Sequence, residues 1–431
     1  MERTESDGRL RSSFTWLFSG NVLYSACQWG IVWVLARFGS TEQVGQYALG
    51  MAVSGPIMLF GNFQLRALIA SDLKEDYSLG QYLSFRFVSL GLATLAIAGV
   101  AVWTRPATIT ASVIALVGAA QALEFVSESY YAVMQREGRL DRLSRSLLIK
   151  GPLALACLAV FMYTTRNIVY ALAGLALGRL AVLLFWDSRL DFVKRELRAK
   201  LVWDWRRVRG LLRLALPLGV ISMLVSVNAS IPRYFLEAYR GSSELGIFAA
   251  IASLLTAGML IVSSMGQSLF VPVAQACIRG DRTNYRRYLL HAILLGAGLG
   301  VTAILVALSA GEKILSTLFG PEYSEHSRLL VLLMMVGAIS FIASGLGYIM
   351  TAARSLGPQI PLMAVSAAAG TAASAWLIPA YGLEGATAAL LVSALIQLGG
   401  TVLILMKIDR NLQCHGQQPL ILARCAEGAT R

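Results

Sequence analysis

Residues 187–213, DSRLDFVKRELRAKLVWDWRRVRGLLR, form the one long polar stretch in the middle of an otherwise apolar chain. This stretch contains nine Lys and Arg residues against four acidic residues. On either side lie about six apolar runs, each long enough to cross a bilayer as a helix. We therefore predict that the stretch is a basic connector between two similar membrane-embedded halves.

The composition of the whole chain indicates a membrane protein. Of its 431 residues 56% are hydrophobic and only 14% are charged, whereas soluble proteins carry about 25% charged residues. Runs of about 20 apolar residues match the roughly 30 Å of a bilayer's hydrocarbon core. Backbone groups in lipid must bond within their own segment, so these runs predict helices.

Twelve membrane-spanning helices are predicted from the apolar runs. Their approximate bounds are 14–38, 44–70, 81–103, 107–134, 147–163, 168–186, 211–238, 245–276, 289–310, 329–353, 360–380 and 383–406.

The distribution of positive charge predicts the orientation of the chain. Most of the 37 Lys and Arg residues fall in segments on the same side as the amino terminus, which places both termini in the cytoplasm. The excess positive charge, +13 over the whole chain, then faces anionic membrane lipids. Each basic residue near the surface contributes roughly 1 kcal/mol of electrostatic attraction to them. No basic face interleaved with aromatic residues is present, so we expect no nucleic-acid partner. The first apolar run has full length and predicts a signal anchor rather than a cleaved signal peptide.

The cysteine and histidine patterns indicate neither a disulfide framework nor a cofactor. The five cysteines include no CxxC pair, and the chain has no HExxH motif and no Gly-rich phosphate loop. We therefore expect no metal and no cofactor.

Two loops at corresponding positions of the halves share a sequence pattern. The first reads STEQVGQYA at 40–48 and the second reads GSSELGIFA at 241–249. A small polar residue, an amide or acid, a glycine and an aromatic residue match at one offset of 201 residues. A polar cap followed by an amide or acid is typical of a helix start, but that local reason does not explain the shared register. We infer an internal duplication.

Six spans in each half make the repeat parallel, about an axis along the membrane normal, as in many secondary transporters. The fold class that we predict is an all-α integral membrane protein with two pseudo-symmetric six-helix lobes. The segments are an amino-terminal lobe at 1–186, the connector at 187–213, a carboxy-terminal lobe at 214–407 and a cytoplasmic tail at 408–431.

Beyond the paired loops, three stretches resemble a known family: NFQLRALIASDLKEDYSLGQYLSFR at Asn62–Arg86, SESYYAVMQREGRLDRLSRS at Ser127–Ser146 and VNASIPRYFLEAYRGSSELGIFA at Val227–Ala249. With these stretches the chain resembles the polysaccharide flippases, of the O-antigen or capsule type, in the multidrug/oligosaccharidyl-lipid/polysaccharide exporter superfamily. Lipid II flippases usually have fourteen spans, and one branch of multidrug extruders uses an acidic residue in the first span. This chain lacks both features.

The resemblance implies a V-shaped, alternating-access transporter in the bacterial inner membrane. Its substrate would be undecaprenyl-diphosphate-linked oligosaccharide, moved from the cytoplasmic to the outer leaflet, with a polysaccharide polymerase complex as a further partner. An anionic diphosphate and a sugar full of hydroxyls are costly to move through hydrocarbon without partners, so buried cations are expected. An enzyme would need a larger outer loop or a catalytic cluster. The alternative function is a proton- or sodium-coupled small-molecule or multidrug exporter.

Four arginines are candidates for substrate binding. Arg233 follows Pro232 in the seventh span, where a proline break is typical of a cavity lining. Its alternatives are snorkelling to headgroups or pairing with Glu237 one turn later. The other three are Arg66 and Arg86 near inner span ends, where snorkelling is again an alternative, and Arg179 within the sixth span.

Two carboxylates are candidates for ion coupling. Glu124 and Glu128 lie one turn apart on the fourth span and so share a helix face. Two like charges in a low dielectric resist joint ionisation, so one of them suits a proton or sodium carrier. The alternative is a salt bridge to Arg66, to Arg86 or to the basic loop after Met134.

Overall fold

The structure is a computed structural model that describes residues 2–71, 77–104, 108–189, 205–353, 355 and 357–428. Most of the predicted connector, at 190–204, lies outside the described residues. The helices are α1 (Glu2–Phe38), α2 (Thr41–Asn62), α3 (Leu65–Ser71), α4 (Leu79–Thr104), α5 (Thr108–Arg136), α6 (Leu140–Thr165), α7 (Ile168–Phe185), α8 (Trp205–Arg240), α9 (Ser242–Ser253), α10 (Leu255–Arg279), α11 (Arg282–Leu318), α12 (Ser327–Ala352) and α13 (Gln359–Gly428). Two short 3-10 helices are Asp187–Arg189 and Pro321–His326.

The predicted all-helical membrane fold is confirmed. Within the described residues, ten helices are long and apolar enough to cross a membrane. One of these is α13, which contains the last two predicted spans joined at Gly382, where φ is 55° and ψ is −123°. This positive φ is a conformation that glycine adopts without the steric cost of a side chain.

Two predicted spans are each divided into two helices. The second predicted span comprises α2 and α3, which meet at Phe63 and Gln64. Both of these residues have a φ of 49°, in the left-handed region. The eighth predicted span comprises α9 and α10, with the break at Leu254.

The described chain forms two compact units, Met1–Ala250 and Ile251–Arg431. The first unit contains α8 as well as α1–α7, because α8 packs along α2. Val208 and Leu211 at the start of α8 also join a buried apolar cluster with Phe63, Leu65 and Phe85. The side chains around the corner between α2 and α3 are therefore fixed from several helices at once.

Small residues allow close helix packing inside each unit. In the first unit, a Cβ atom added to Gly178 of α7 would lie 2.8 Å from the Cα of Ala154 on α6. In the second unit, a Cβ atom added to Gly300 of α11 would lie 2.7 Å from the Cα of Ala338 on α12. Both distances are too short for a side chain, so these helix pairs approach backbone to backbone.

Candidate functional site

The interior of the first unit contains a cluster of buried charged residues from α4, α5, α6, α7 and the turn after α7. The side chains of Arg86, Lys150 and Asp187 have no exposed surface, and Arg179 is 7% exposed. Charged groups in a membrane interior are costly and are normally paired or functional. We refer to these four residues together with Glu124 and Glu128 as the charge cluster.

Glu124 on α5 lies at the centre of the charge cluster. The Nζ of Lys150 on α6 lies 2.8 Å from its Oε1, and the Nε of Arg179 on α7 lies 3.9 Å from its Oε2. Arg179 also donates to the backbone oxygen of Ala120 at 2.8 Å and to the Oε1 of Gln28 at 3.1 Å. The carboxylate of Glu124 therefore connects α5, α6 and α7. Through its hydrogen bond to Gln28, Arg179 links α1 to the same group of helices.

The ammonium of Lys150 also lies over two tyrosine rings, 4.6 Å from the ring centre of Tyr131 and 5.4 Å from that of Tyr24. The hydroxyl of Tyr131 lies 2.9 Å from the Oγ of Ser146, which donates to the Oδ1 of Asp187 at 2.6 Å. Burial raises the pKa of the Asp187 carboxyl, and the positive charge of Lys150 opposes this increase. This chain of contacts connects the centre of the cluster to the turn after α7.

Arg86 and Glu128 share the same partner, Asn62 at the end of α2. Arg86 donates to the backbone oxygen of Asn62 at 2.9 Å, to its side-chain oxygen, and to the Oγ of Ser129 at 3.1 Å. The side-chain amide of Asn62 donates to the Oε2 of Glu128 at 3.3 Å. Because Arg86 is fully buried, it does not snorkel to the membrane surface.

The corner between α2 and α3 positions both Asn62 and Arg66. Two consecutive non-glycine residues with positive φ, Phe63 and Gln64, end α2 and separate it from α3 here. Such backbone strain costs roughly 1–3 kcal/mol per residue and is concentrated at functional sites. Beyond the corner, the Cζ of Arg66 lies 5.9 Å from the ring centre of Tyr131, so its charge also points at the charge cluster.

Arg233 is half-buried on α8. Within the described residues no carboxylate lies within salt-bridge distance of it, as is also the case for Arg66 and Arg86, whereas Arg179 pairs with Glu124. The pairing with Glu237 does not form, because the Oε1 of Glu237 accepts a hydrogen bond from the Oγ of Ser242 at 2.7 Å. The charge of Arg233 is therefore available to a ligand.

Tyr47 on α2 lies within electrostatic range of both Arg179 and Arg233. The positive charges of Arg179 and Arg233 thus both act on one tyrosine of α2. We therefore add Arg233 and Arg66 to the charge cluster when we describe the whole cationic site.

The two copies of the repeated loop contact each other directly. A Cβ atom added to Gly45 would lie 1.8 Å from the backbone oxygen of Ser242, and one added to Gly246 would lie 1.8 Å from that of Thr41. The contact is reciprocal, since Thr41 and Ser242 are related by the same offset of 201 residues as the two glycines. Any side chain at either glycine would separate the loops.

The first copy of the loop has the predicted helix-start chemistry. The Oγ of Ser40 accepts from the backbone nitrogen of Gln43, and the side chain of Gln43 accepts from the backbone nitrogen of Ser40. This reciprocal arrangement satisfies two donors at the start of α2.

Sequence reasoning did not identify Lys150, Asn62, Tyr131 or Asp187 as site residues. A signal existed for Lys150, because it is a lone lysine within the predicted fifth span. The others carry no sequence signal, because polar residues near span ends are common. Within the described part of the chain, no group of three His, Cys, Asp and Glu side chains could hold a metal ion.

The all-helical fold, the membrane-length helices and the buried charges together define a polytopic membrane protein. Residues 10–277 match the family model described as "Polysaccharide biosynthesis protein", and the chain belongs to this family. A curated relative is the capsular polysaccharide biosynthesis protein CapF of Staphylococcus aureus. It is 27% identical over 393 residues, which cover 90% of this chain and 96% of CapF.

Solved structures share the fold at low sequence identity. An inward-facing multidrug resistance MATE family transporter of the MOP superfamily is similar with a TM-score of 0.72 and 12% identity, over 90% of this chain and 95% of the transporter. The lipid II flippase MurJ in its inward closed conformation is similar with a TM-score of 0.67 and 12% identity, over 92% of this chain and 90% of MurJ. The chain therefore has the fold of MOP-superfamily transporters.

Proposed function

We propose that the protein is a flippase that moves undecaprenyl-diphosphate-linked oligosaccharide from the cytoplasmic to the outer leaflet of the bacterial inner membrane. In this proposal both termini are cytoplasmic, and a polysaccharide polymerase complex receives the product. The observation that carries the proposal is the excess of buried positive charge in the first unit.

The cationic site has a charge that matches a diphosphate. Its five cations outnumber its three carboxylates by two. The cations are Arg66, Arg86, Lys150, Arg179 and Arg233, and the carboxylates are Glu124, Glu128 and Asp187. A bound diphosphate would neutralise this excess, and a charged ligand in a low dielectric gains most from fixed opposite charges.

The cations have different roles in the proposal. Arg233 has no carboxylate partner among the described residues and binds the diphosphate directly, with Arg179 as the second contact. Arg86 and Lys150 are fully buried and hydrogen-bonded, so they position Asn62 and Glu124. Arg66 lies near the corner after α2 and receives the diphosphate first.

Glu124 and Glu128 are the proposed ion-coupling residues. Glu124 already has two cationic partners, whereas Glu128 accepts a hydrogen bond from the neutral amide of Asn62. A proton on Glu128 would increase the positive charge of the site and favour diphosphate binding. Loss of that proton would favour release.

Alternating access requires a contact that closes the substrate path on one side of the membrane and that can separate. We propose that the contact between the two loop copies, through Gly45 and Gly246, closes the path on the outer side. Separation of the loops would then open the site to the outer leaflet, while the prenyl chain stays in lipid.

The test is the leaflet location of the lipid-linked saccharide, measured with a membrane-impermeant label on spheroplasts. Depletion of the protein should confine the saccharide to the cytoplasmic leaflet. Arg233→Ala should lower the flipping rate roughly 10- to 100-fold, because a charge-assisted hydrogen bond contributes about 1.5–3 kcal/mol. Arg240→Ala removes the same charge from an exposed position on the same helix and is the matched control.

Normal flipping by Arg233→Ala at wild-type abundance would contradict the role of Arg233. An unchanged saccharide distribution on depletion, with the polymer still reaching the surface, would contradict the flippase and favour the small-molecule exporter.

A further inference from the structure

A second cavity lies in the first unit, between α2, α4, α5 and α8, and has a volume of about 560 Å³. None of the charge-cluster residues lines it. Its wall is apolar over most of its length, and the apolar side chains include Leu49, Val53, Ile57, Val100 and Ile114. The opposite end is polar and contains Glu42, Gln46 and Glu237. This volume is within the usual range for small-molecule sites, about 300–1,000 Å³.

Two hydrogen-bond acceptors at the polar end have no partner among the residues that the structure describes. Gln46 is 7% exposed, and its side-chain amide donates to Glu42 at 3.4 Å, but its Oε1 accepts nothing. Glu237 accepts from Ser242 through Oε1, while its Oε2 has no partner. An unsatisfied buried polar atom costs roughly 1–3 kcal/mol, so a ligand that brings donors would relieve both.

The hydroxyl of Tyr234, which also lines the cavity, already donates a hydrogen bond to the backbone. Pro56 has no N–H, so the backbone oxygen of Ala52, four residues earlier on α2, lacks its helical donor. The hydroxyl of Tyr234 on α8 donates to that oxygen. This bond joins α2 to α8 and removes the hydroxyl as a donor. Ser242 also lines the cavity and donates to Glu237. The polar end therefore offers mainly acceptors and negative charge, with the hydroxyl of Thr110 as a further polar group.

We infer that this cavity binds an amphiphile whose head carries hydrogen-bond donors and no net negative charge. The head contacts Gln46 and Glu237, and the first part of its apolar chain lies against Val53 and Ile57. An ammonium group and the hydroxyls of an uncharged sugar share this donor chemistry. A phosphate head is excluded, because Glu42 and Glu237 would repel it. The site is separate from the diphosphate site and does not depend on the proposed flipping activity.

The experiment compares three dodecyl amphiphiles that differ only in their heads. Purified full-length protein is incubated with dodecylamine, dodecyl-β-glucoside or dodecyl phosphate, and retention is measured by native mass spectrometry. We expect retention of the amine and the glucoside and no retention of the phosphate. Val53→Trp should fill the cavity and lower retention of both by at least tenfold. Val102→Trp, at a site on α4 that is 75% exposed and outside the cavity lining, is the control.

Two further variants distinguish an ammonium head from a sugar head. Both replace a side chain by one of nearly the same size, so their effect does not depend on whether the fold tolerates the large tryptophan of Val53→Trp. If the amine is retained more strongly and Glu237→Gln lowers its retention about tenfold, the ligand is an amine-headed lipid. If the glucoside is retained more strongly and Gln46→Leu lowers its retention, the ligand is a glycolipid. Equal retention of dodecyl phosphate, or wild-type retention of all probes by Val53→Trp, would overturn the inference.

Discussion

The two units of this chain place their charged residues very differently. The first unit buries Arg86, Lys150 and Asp187 completely. In the described part of the second unit, no Asp, Glu, Lys or Arg is buried. Among its described residues, the ion pairs use arginines near the starts of helices: Arg282 and Arg286 of α11, which are 30% and 59% exposed, bind Asp409 of α13.

The two units therefore share close helix packing but not buried charge. Both loop copies, at 40–48 and 241–249, lie in the first unit, and among the described residues only this unit buries charged side chains. Each buried charge costs roughly 2.5–3.5 kcal/mol when it enters a membrane span. The second unit instead relies on close packing, as at Gly300 against Ala338.

The largest predicted effect tests whether the buried charges are structurally essential to the first unit. Lys150→Met leaves Glu124 buried with only the more distant Arg179. Removing one partner of a buried pair typically costs about 3–5 kcal/mol, so we expect a decrease of this size in the free energy of unfolding, measured by denaturation in detergent micelles.

The double variant Glu124→Gln/Lys150→Met provides the control for Lys150→Met. It removes both charges and should recover much of the loss, because a neutral pair leaves no uncompensated ion. If the single variant is as stable as wild type, the pair contributes nothing to the stability of the unit.

The next effect concerns the loop contact that the two copies share. Gly45→Ala places a Cβ atom where the backbone oxygen of Ser242 lies, and overpacking of this kind costs about 1–3 kcal/mol. Gly246→Ala should lower the free energy of unfolding by the same amount, because its added Cβ atom would lie equally close to the backbone oxygen of Thr41. Gly99→Ala on α4, which has no atom within 4 Å of the added Cβ, should not destabilise the protein. Unequal losses at Gly45 and Gly246 would contradict the symmetry of the contact.

A pair of glycines on one helix tests the packing of the second unit. Gly300→Ala should destabilise the protein by about 2 kcal/mol, since the added methyl group would lie 2.3 Å from the Cβ of Ala338. Gly298→Ala, two residues earlier, meets no atom within 4 Å and should be neutral or stabilising by up to about 1 kcal/mol through helix propensity. Thermal denaturation of both variants checks the difference, and equal behaviour would show that α11 does not depend on close contact with α12.

Sequence reasoning predicted the helices well because the bilayer imposes length and apolarity on every span. It also found the matching glycines, because their register is visible in the loops. It did not find the break at Phe63 and Gln64, where neither glycine nor proline marks the turn. Nor did it find the partners of Glu124, because Lys150 and Arg179 reach it from other helices whose rotation is set by packing.

The pairing of Arg233 with Glu237, one of the alternatives that the sequence left open, illustrates the same limit. Spacing along a helix places the two residues on one face, which makes the pair plausible. The structure gives Glu237 a different partner, Ser242, because α8 ends at Arg240 and the turn brings the next helix close. Local spacing cannot anticipate a partner that arrives after a turn.

The smallest predicted effect concerns the ion pairs of the second unit that use arginines near the start of α11. Both Arg282 and Arg286 bind Asp409 through two hydrogen bonds, at 2.8–3.0 Å. Arg286→Ala therefore leaves Asp409 with a complete bidentate partner, and Arg286 itself is 59% exposed. Exposed ion pairs contribute about 0–1 kcal/mol and are weakened by salt. We expect a loss within that range in low salt and almost none in high salt. A loss as large as that of Lys150→Met, unchanged by salt, would mean that the second unit also depends on charges, and the contrast between the units would fail.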